Sequence, residues 1–235
     1  MPIPQQENPV NRQSTRDVIY QALRDWIIQG ELQPGEKIND AELARHFHVS
    51  RTPVREAFQL LESQKLIRVV PGRSTTVTEI DKVDLEKCYR PLAEIQALGA
   101  KIAVEFLTEE QLSQLQAILD RSDRACAEND AQTAISCDAD FHAIIMAAAG
   151  NEYLIDFSDL MLLHIQRIKY HFFHCDRMRR ASVQQHKEVL AALRSRDGEA
   201  AAQRMRSHWL SAMESSIRDV ADSTRATSPV ESAEI

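Results

Sequence analysis

The sequence predicts a mainly α protein in two parts, an N-terminal winged helix-turn-helix and a C-terminal all-α bundle of about six helices. Three observations carry this. Glycine is only 6 of 235 residues and aromatics only 6%, too few for the turn-rich chain of an all-β fold. Apolar residues recur at helical spacing along most of the chain, interrupted by one pair of short alternating runs near residue 70. The charge is also divided: residues 1–80 carry 10 basic and 10 acidic side chains, while residues 81–235 carry 18 and 25.

Residues 16–29 form an amphipathic helix with Ile19, Leu23, Trp26 and Ile27 on one face, stopped by Gly30. The segment GELQPGEKI is a turn followed by a very short extended piece. Asp40 is expected to cap a second helix over 41–47, buried through Leu43, Ala44 and Phe47. After the tight link His48-Val49, Ser50 is expected to cap a third helix over 51–64. Its Pro53 falls in the first turn, where the backbone N–H has no intrahelical partner. Val54, Ala57, Phe58 and Leu61 are its apolar face. The runs Ile67–Val70 and Thr75–Thr78 flank Pro71-Gly72-Arg73-Ser74, a hairpin with a basic tip.

Beyond residue 81 the spacing predicts helices over 82–106, 109–128, 131–149, 151–174, 178–195 and 198–221. Thr108-x-x-Gln111 is a capping box, Asp197 a cap for the last helix, and Gly150-Asn151 a break. Residues 1–14 and 222–235 are rich in Ser, Thr, Pro and Glu and are expected to be disordered tails. The expected domains are therefore 15–79 and 80–221, and no internal repeat is present.

The net charge of −7 argues against nucleic acid when taken as one number. Position changes that. Between Leu43 and Arg73, Arg45, Arg51, Arg55, Lys65, Arg68 and Arg73 face only Glu56 and Glu62, a local +4. No stretch of about 18 apolar residues exists, which excludes a membrane span. The N-terminus has no apolar signal core. Cys88, Cys126, Cys137 and Cys175 form no CxxC pair and read as reduced core thiols of a cytoplasmic protein.

The third helix carries the chemistry of the first part. Ser50, Arg51, Thr52 and Arg55 lie at its N-terminal end, the end of a recognition helix that reaches base edges and phosphates. Arg51 and Arg55, four residues apart, share a face away from the apolar stripe. Arginine pairs bidentately with guanine O6 and N7 or with phosphate. Gly72 and Arg73 at the wing tip are placed to follow the adjacent groove or backbone. A plainer alternative makes the arginine pair a solvated helix face. The stretch from GELQPGEKIND through ELARHFHVSRTPVREAFQLLESQKLI to PGRSTTV resembles the DNA-binding domain of the GntR family of bacterial transcription regulators. The resemblance spans about residues 15–79 and implies DNA contacts from Arg51, Thr52, Arg55 and Gly72. Some members carry a further basic contact at the start of the second helix. Ala41 stands there in this chain, and Arg45, one turn later, is the partial substitute.

In the second part, Asp138 and His142 are four apart on one helix and so share a face. His186 and His208 border apolar stripes on the last two helices. Each has a plain reading as a core or boundary side chain. Convergence in a bundle core is the alternative, and that N₃O set suits zinc, nickel, manganese or iron. His164, His171 and His174 line one helix, as pocket, second metal site or boundary face. Arg167 on the same helix is a second candidate anchor for an acid.

The helical part is similar to the FCD ligand-binding domain of the FadR subfamily. Arg90-x-x-x-Glu94, Asp138-x-x-x-His142, Gly150-Asn151, His186 before VLAALRSRD, and His208 carry the similarity. It implies a divalent metal held by Asp138, His142, His186 and His208, with a small carboxylate effector beside it. Arg90 matches a position that clamps such an acid, a task suited to the guanidinium fork. Gln185 precedes His186 where Glu is common.

These features lead to a non-enzymatic regulator: a homodimer on a palindromic operator, tuned by metal and a small organic acid. A metal-dependent hydrolase or lyase with an appended winged helix is the alternative. Against it, the chain has no HExxH, nucleophile elbow or phosphate loop. A helical adaptor whose basic island meets an acidic protein is a third possibility.

Overall fold

The structure, a computed structural model, describes residues 14–70, 72–79, 82–172 and 176–227. The chain divides into two compact units, Met1–Glu79 and Ile80–Ile235.

The first unit contains α1 (Thr15–Gln29), β1 (Lys37–Ile38), α2 (Asp40–His46), α3 (Arg51–Ser63), β2 (Ile67–Val70) and β3 (Ser74–Val77). The Ser14 hydroxyl accepts from the Asp17 amide to start α1, and Gly30, at φ 77°, ends it in the left-handed region. The start of α2 corrects the sequence expectation. Asn39 is the cap, its side chain accepting from the Ala41 amide, and Asp40 is the first helical residue. Two adjacent Asx residues compete for one cap; with Asn39 in it, the Asp40 carboxylate is released for another contact. Ser50 does precede α3, but its hydroxyl makes no capping hydrogen bond.

The short extended piece also has a role that periodicity did not reveal. β1 pairs antiparallel with β3, giving the sheet order β1-β3-β2. In the hairpin Ile67 faces Val77 and Val70 faces Ser74. Gly72 has φ 71°, and a Cβ there would meet nothing within 4 Å. The turn therefore requires glycine for its backbone angle, not for space. Ile19, Leu23 and Ile27 of α1 bury against Val54, Ala57, Phe58 and Leu61 of α3, with Ile67 and Val77 closing the core from the sheet.

The second unit contains α4 (Lys82–Phe106), α5 (Glu109–Glu128), α6 (Ala131–Ala148), α7 (Glu152–Phe172), α8 (Asp176–Arg194) and α9 (Gly198–Thr227). The Thr108–Gln111 capping box forms with both reciprocal bonds. Asp197 accepts from the Ala200 amide at the start of α9. Long α4 packs on α6, α7 and α9. A Cβ on its Gly99 would overlap the Met146 sulfur, so this glycine lets α4 and α6 approach closely. The core gathers Tyr89, Leu92, Phe141, Ile145, Leu193 and Trp209.

The last helix runs further than expected. Residues 222–227, expected to be disordered, continue α9 to Thr227. No Pro or Gly interrupts the run after Gly198 until Pro229, so the sequence offers no stop before that point. Residues 228–235 and 1–13 lie outside the described residues, as does Pro71 of the expected hairpin turn. No helix among the described residues is long and apolar enough to cross a membrane.

A bidentate bridge ties α9 to α4. Arg206 Nε and Nη2 donate to Glu94 Oε1 and Oε2, both at 2.8 Å. The Arg206 hydrogen bonds hold the Glu94 carboxyl below its ordinary value of 4.5. A depressed carboxyl adds stability above its unfolded pKa and loses it as pH falls through the folded one. Both side chains are exposed, so the stabilisation is about 1 kcal/mol at most. Glu94→Gln is expected to melt slightly below wild type at neutral pH. The gap should narrow in melts run at progressively more acid pH below the ordinary carboxyl range; a gap that keeps its full size there would assign the effect to packing.

Candidate nucleic-acid interface and metal centre

On α3 the buried stripe of Val54, Ala57, Phe58 and Leu61 turns Arg51, Thr52 and Arg55 outward, and all three are exposed. Ser50 at the helix start and Arg45 on α2 are also exposed. His48, in the left-handed region at φ 54°, makes the turn between the two helices. Arg45, His48, Ser50 and Arg51 line one shallow groove. A second cleft is lined by Asp40, Arg55, Gln59, Gly72, Arg73 and Ser74, so the hairpin tip and α3 share one concavity. Within it Arg55 Nε donates to Asp40 Oδ2 at 2.7 Å.

The second constellation is buried. α6 supplies Asp138 and His142, α8 supplies His186, and α9 supplies His208. One ligand atom from each of the four lies within 4.8 Å of the others. His186 Nε2 is 3.2 Å from both His142 Nε2 and His208 Nε2, and 3.8 Å from Asp138 Oδ1. Phe141 stacks on the His186 ring, with centroids 4.4 Å apart, and Trp209 lies 4.5 Å from His142. Apolar walls thus hold the rings in place.

The donor set fits a divalent ion. Gln185 Oε1 lies 3.0 Å from His208 Nδ1 and can only accept, so Nδ1 carries the proton and Nε2 offers its lone pair to the centre. Ser182 Oγ donates to Asp138 Oδ1 at 3.2 Å. Ligands at about 2.0–2.1 Å from one ion stand about 2.8–3.4 Å from each other, the short end octahedral and the long end tetrahedral. The imidazole spacing falls in that range. Three imidazoles and a carboxylate, sequestered together, suit zinc and its first-row neighbours.

The structure does not gather every expected residue. Arg90 is exposed on α4 and pairs with Glu86 at 3.6 Å, outside the cluster. Arg167 is 1% exposed inside the helical unit. Among the described residues Asp138, His142, His186 and His208 are the only such group of three or more. The side chain of His171, together with His174 and Cys175, lies outside the described residues. Cys126 and Cys137 are buried and Cys88 half-buried. Sequence reasoning missed Ser182 and Gln185 as supporting residues. Ser182 was findable, one turn before His186; Gln185 stood out only as a replacement for the usual Glu.

Known proteins share both constellations' domains. Residues 15–77 match the family described as bacterial regulatory proteins, gntR family, and residues 89–211 match the FCD domain. Over 212 residues the chain is 28% identical to the HTH-type transcriptional repressor RspR of Escherichia coli strain K12, covering 90% of each. It is 28% identical to the Uxu operon regulator of Haemophilus influenzae, over 86% of this chain and 81% of that one. Among solved structures, E. coli McbR/YncC superposes with a TM-score of 0.73 at 23% identity, covering 90% of this chain and 99% of that one. That last likeness is one of fold.

Proposed function

From the premise that this chain belongs to the gntR family of bacterial regulatory proteins and carries an FCD domain, we propose that it is a metal-containing, acid-responsive regulator of operator binding. That it is a transcriptional regulator, and not an enzyme, follows from the family and from relatives named as such. The finer reading rests on one observation: the ligand atoms of Asp138, His142, His186 and His208 converge within 4.8 Å.

In this reading the protein acts in the cytoplasm as a homodimer of the FadR subfamily. Each copy presents α3 to one half-site of a palindromic duplex. Arg51, Thr52 and Arg55 face base edges and phosphates, with Ser50, Arg45, Gly72 and Arg73 alongside. Asp138, His142, His186 and His208 hold a divalent ion, with Gln185 and Ser182 orienting two of the ligands. Such an ion, when bound, offers open positions to a carboxylate or water. Arg167, buried in the same unit, and Arg90, exposed on α4, are the two candidate anchors for the acid. Binding of the acid shifts operator affinity, and linkage requires the operator to shift acid affinity equally.

A thermal-shift screen with zinc or manganese, each with and without a panel of small mono- and dicarboxylates, tests this. Metal should raise the melting temperature, and one acid class should raise it further only when metal is present. That acid should then change operator affinity by about 5- to 150-fold. A panel in which no metal and no acid moves either quantity would overturn the reading.

A further inference from the structure

We propose that Asp40 is a positioning residue for base recognition: it locks the Arg55 guanidinium so that its end-on edge faces a guanine in the duplex. The inference rests on the reading that α3 enters the major groove, and it adds a specificity role for a side chain on a different helix.

Asp40 is the first residue of α2, with Asn39 rather than Asp40 serving as the cap. Its carboxylate is therefore free to reach across to α3, where it accepts from Arg55 Nε at 2.7 Å. The Arg55 side chain remains 65% exposed, against 23% for Asp40. The pair stands in the cleft that Gly72 and Arg73 of the wing also line.

Guanidinium geometry gives this contact a consequence. Arginine carries five N–H donors in a rigid plane. With Nε committed to Asp40, the Nη1 and Nη2 donors on the far edge are still available, and that edge spans the O6 and N7 acceptors of guanine. An unrestrained Arg55 would instead swing between bases and phosphates, since it is a long, exposed side chain. A carboxylate beside the duplex also repels phosphate, so its placement here disfavours indiscriminate backbone binding. Arg51, by contrast, has no ion pair among the described residues and stays free to adapt.

The test first selects an operator from a random duplex library with the wild-type protein. Kd is then measured by fluorescence anisotropy for that duplex, for single-base variants of it, and for a random duplex. Arg55→Ala identifies the position at which Arg55 discriminates. Asp40→Ala is expected to lower guanine preference at that position by roughly tenfold, the scale of one bidentate contact. Binding to random duplex should hold or tighten. Asp40→Asn, which keeps an acceptor but loses the charge, should fall between. Discrimination within twofold of wild type in Asp40→Ala would overturn the inference, as would an equal loss on operator and random DNA. If Arg55→Ala itself binds the operator as wild type does, the underlying reading of α3 fails, a result distinct from failure of the Asp40 role alone.

Discussion

Replacing His186 by alanine is expected to abolish the zinc-dependent rise in melting temperature. His186 is the hub of the cluster, with its Nε2 3.2 Å from both partner imidazole nitrogens. Its loss removes a ligand that the other three cannot replace, because each is fixed on α6 or α9 and enclosed by Phe141 and Trp209. A ligand present at 100 times its Kd stabilises the folded state by about 2.7 kcal/mol. In a domain of this size that is a shift of roughly 5–10 °C. His186 is also 3% exposed, so truncation leaves a cavity and lowers stability without metal. The diagnostic quantity is therefore each protein's own difference with and without zinc. Wild type should show the rise and His186→Ala none, with helical circular dichroism kept. Protons compete with the metal for the ligand histidines, so the wild-type rise should also fade as the pH is lowered. A zinc-dependent rise of wild-type size in the variant would remove His186 from the site.

The second large effect is on DNA. Arg51→Ala should weaken operator binding by roughly 1–3 kcal/mol if the side chain reads a guanine, about 5- to 150-fold. Arg51 is exposed at the first turn of α3 and contributes nothing to the core, so thermal stability should hold. The salt dependence separates two roles. If Arg51 binds a phosphate, its removal lowers the slope of log K against log salt by about one and weakens all sequences alike. If it reads a base, its removal relaxes preference at one position. Unchanged operator affinity would exclude both.

Much of this was legible in the chain. The apolar spacing of Val54, Ala57, Phe58 and Leu61 located α3 and assigned Arg51 and Arg55 to its outer face. The spacing of Asp138 and His142 gave one edge of the cluster, because helical periodicity is a local property. Whether His186 and His208 met that edge was not local: it depends on how α8 and α9 pack on α6, and the sequence alone left a plainer reading open. The same limit hid the Asp40–Arg55 bridge, which spans two helices and a choice between adjacent caps. β1 was not legible as a strand because its two residues carry no period; only pairing with β3 makes it one. For the extension of α9 to Thr227, the polar composition misled, where the absence of a helix stop mattered more.

The net charge of −7 is likewise an average of unlike parts. A basic segment sits on the unit that carries α3, and the acidic excess belongs to the helical unit. Few phosphate contacts per copy, and marked salt sensitivity even so, are the expected result.

The regulatory reading stands or falls with a divalent ion held in the helical unit by Asp138, His142, His186 and His208. The most direct measurement is the metal content of the full chain by inductively coupled plasma mass spectrometry. The protein is purified without chelator, and a second sample is reloaded with zinc or manganese and dialysed. About one divalent ion per chain is expected in at least the reloaded sample. Contents below about a tenth of an ion per chain in both samples would rule out the metal centre.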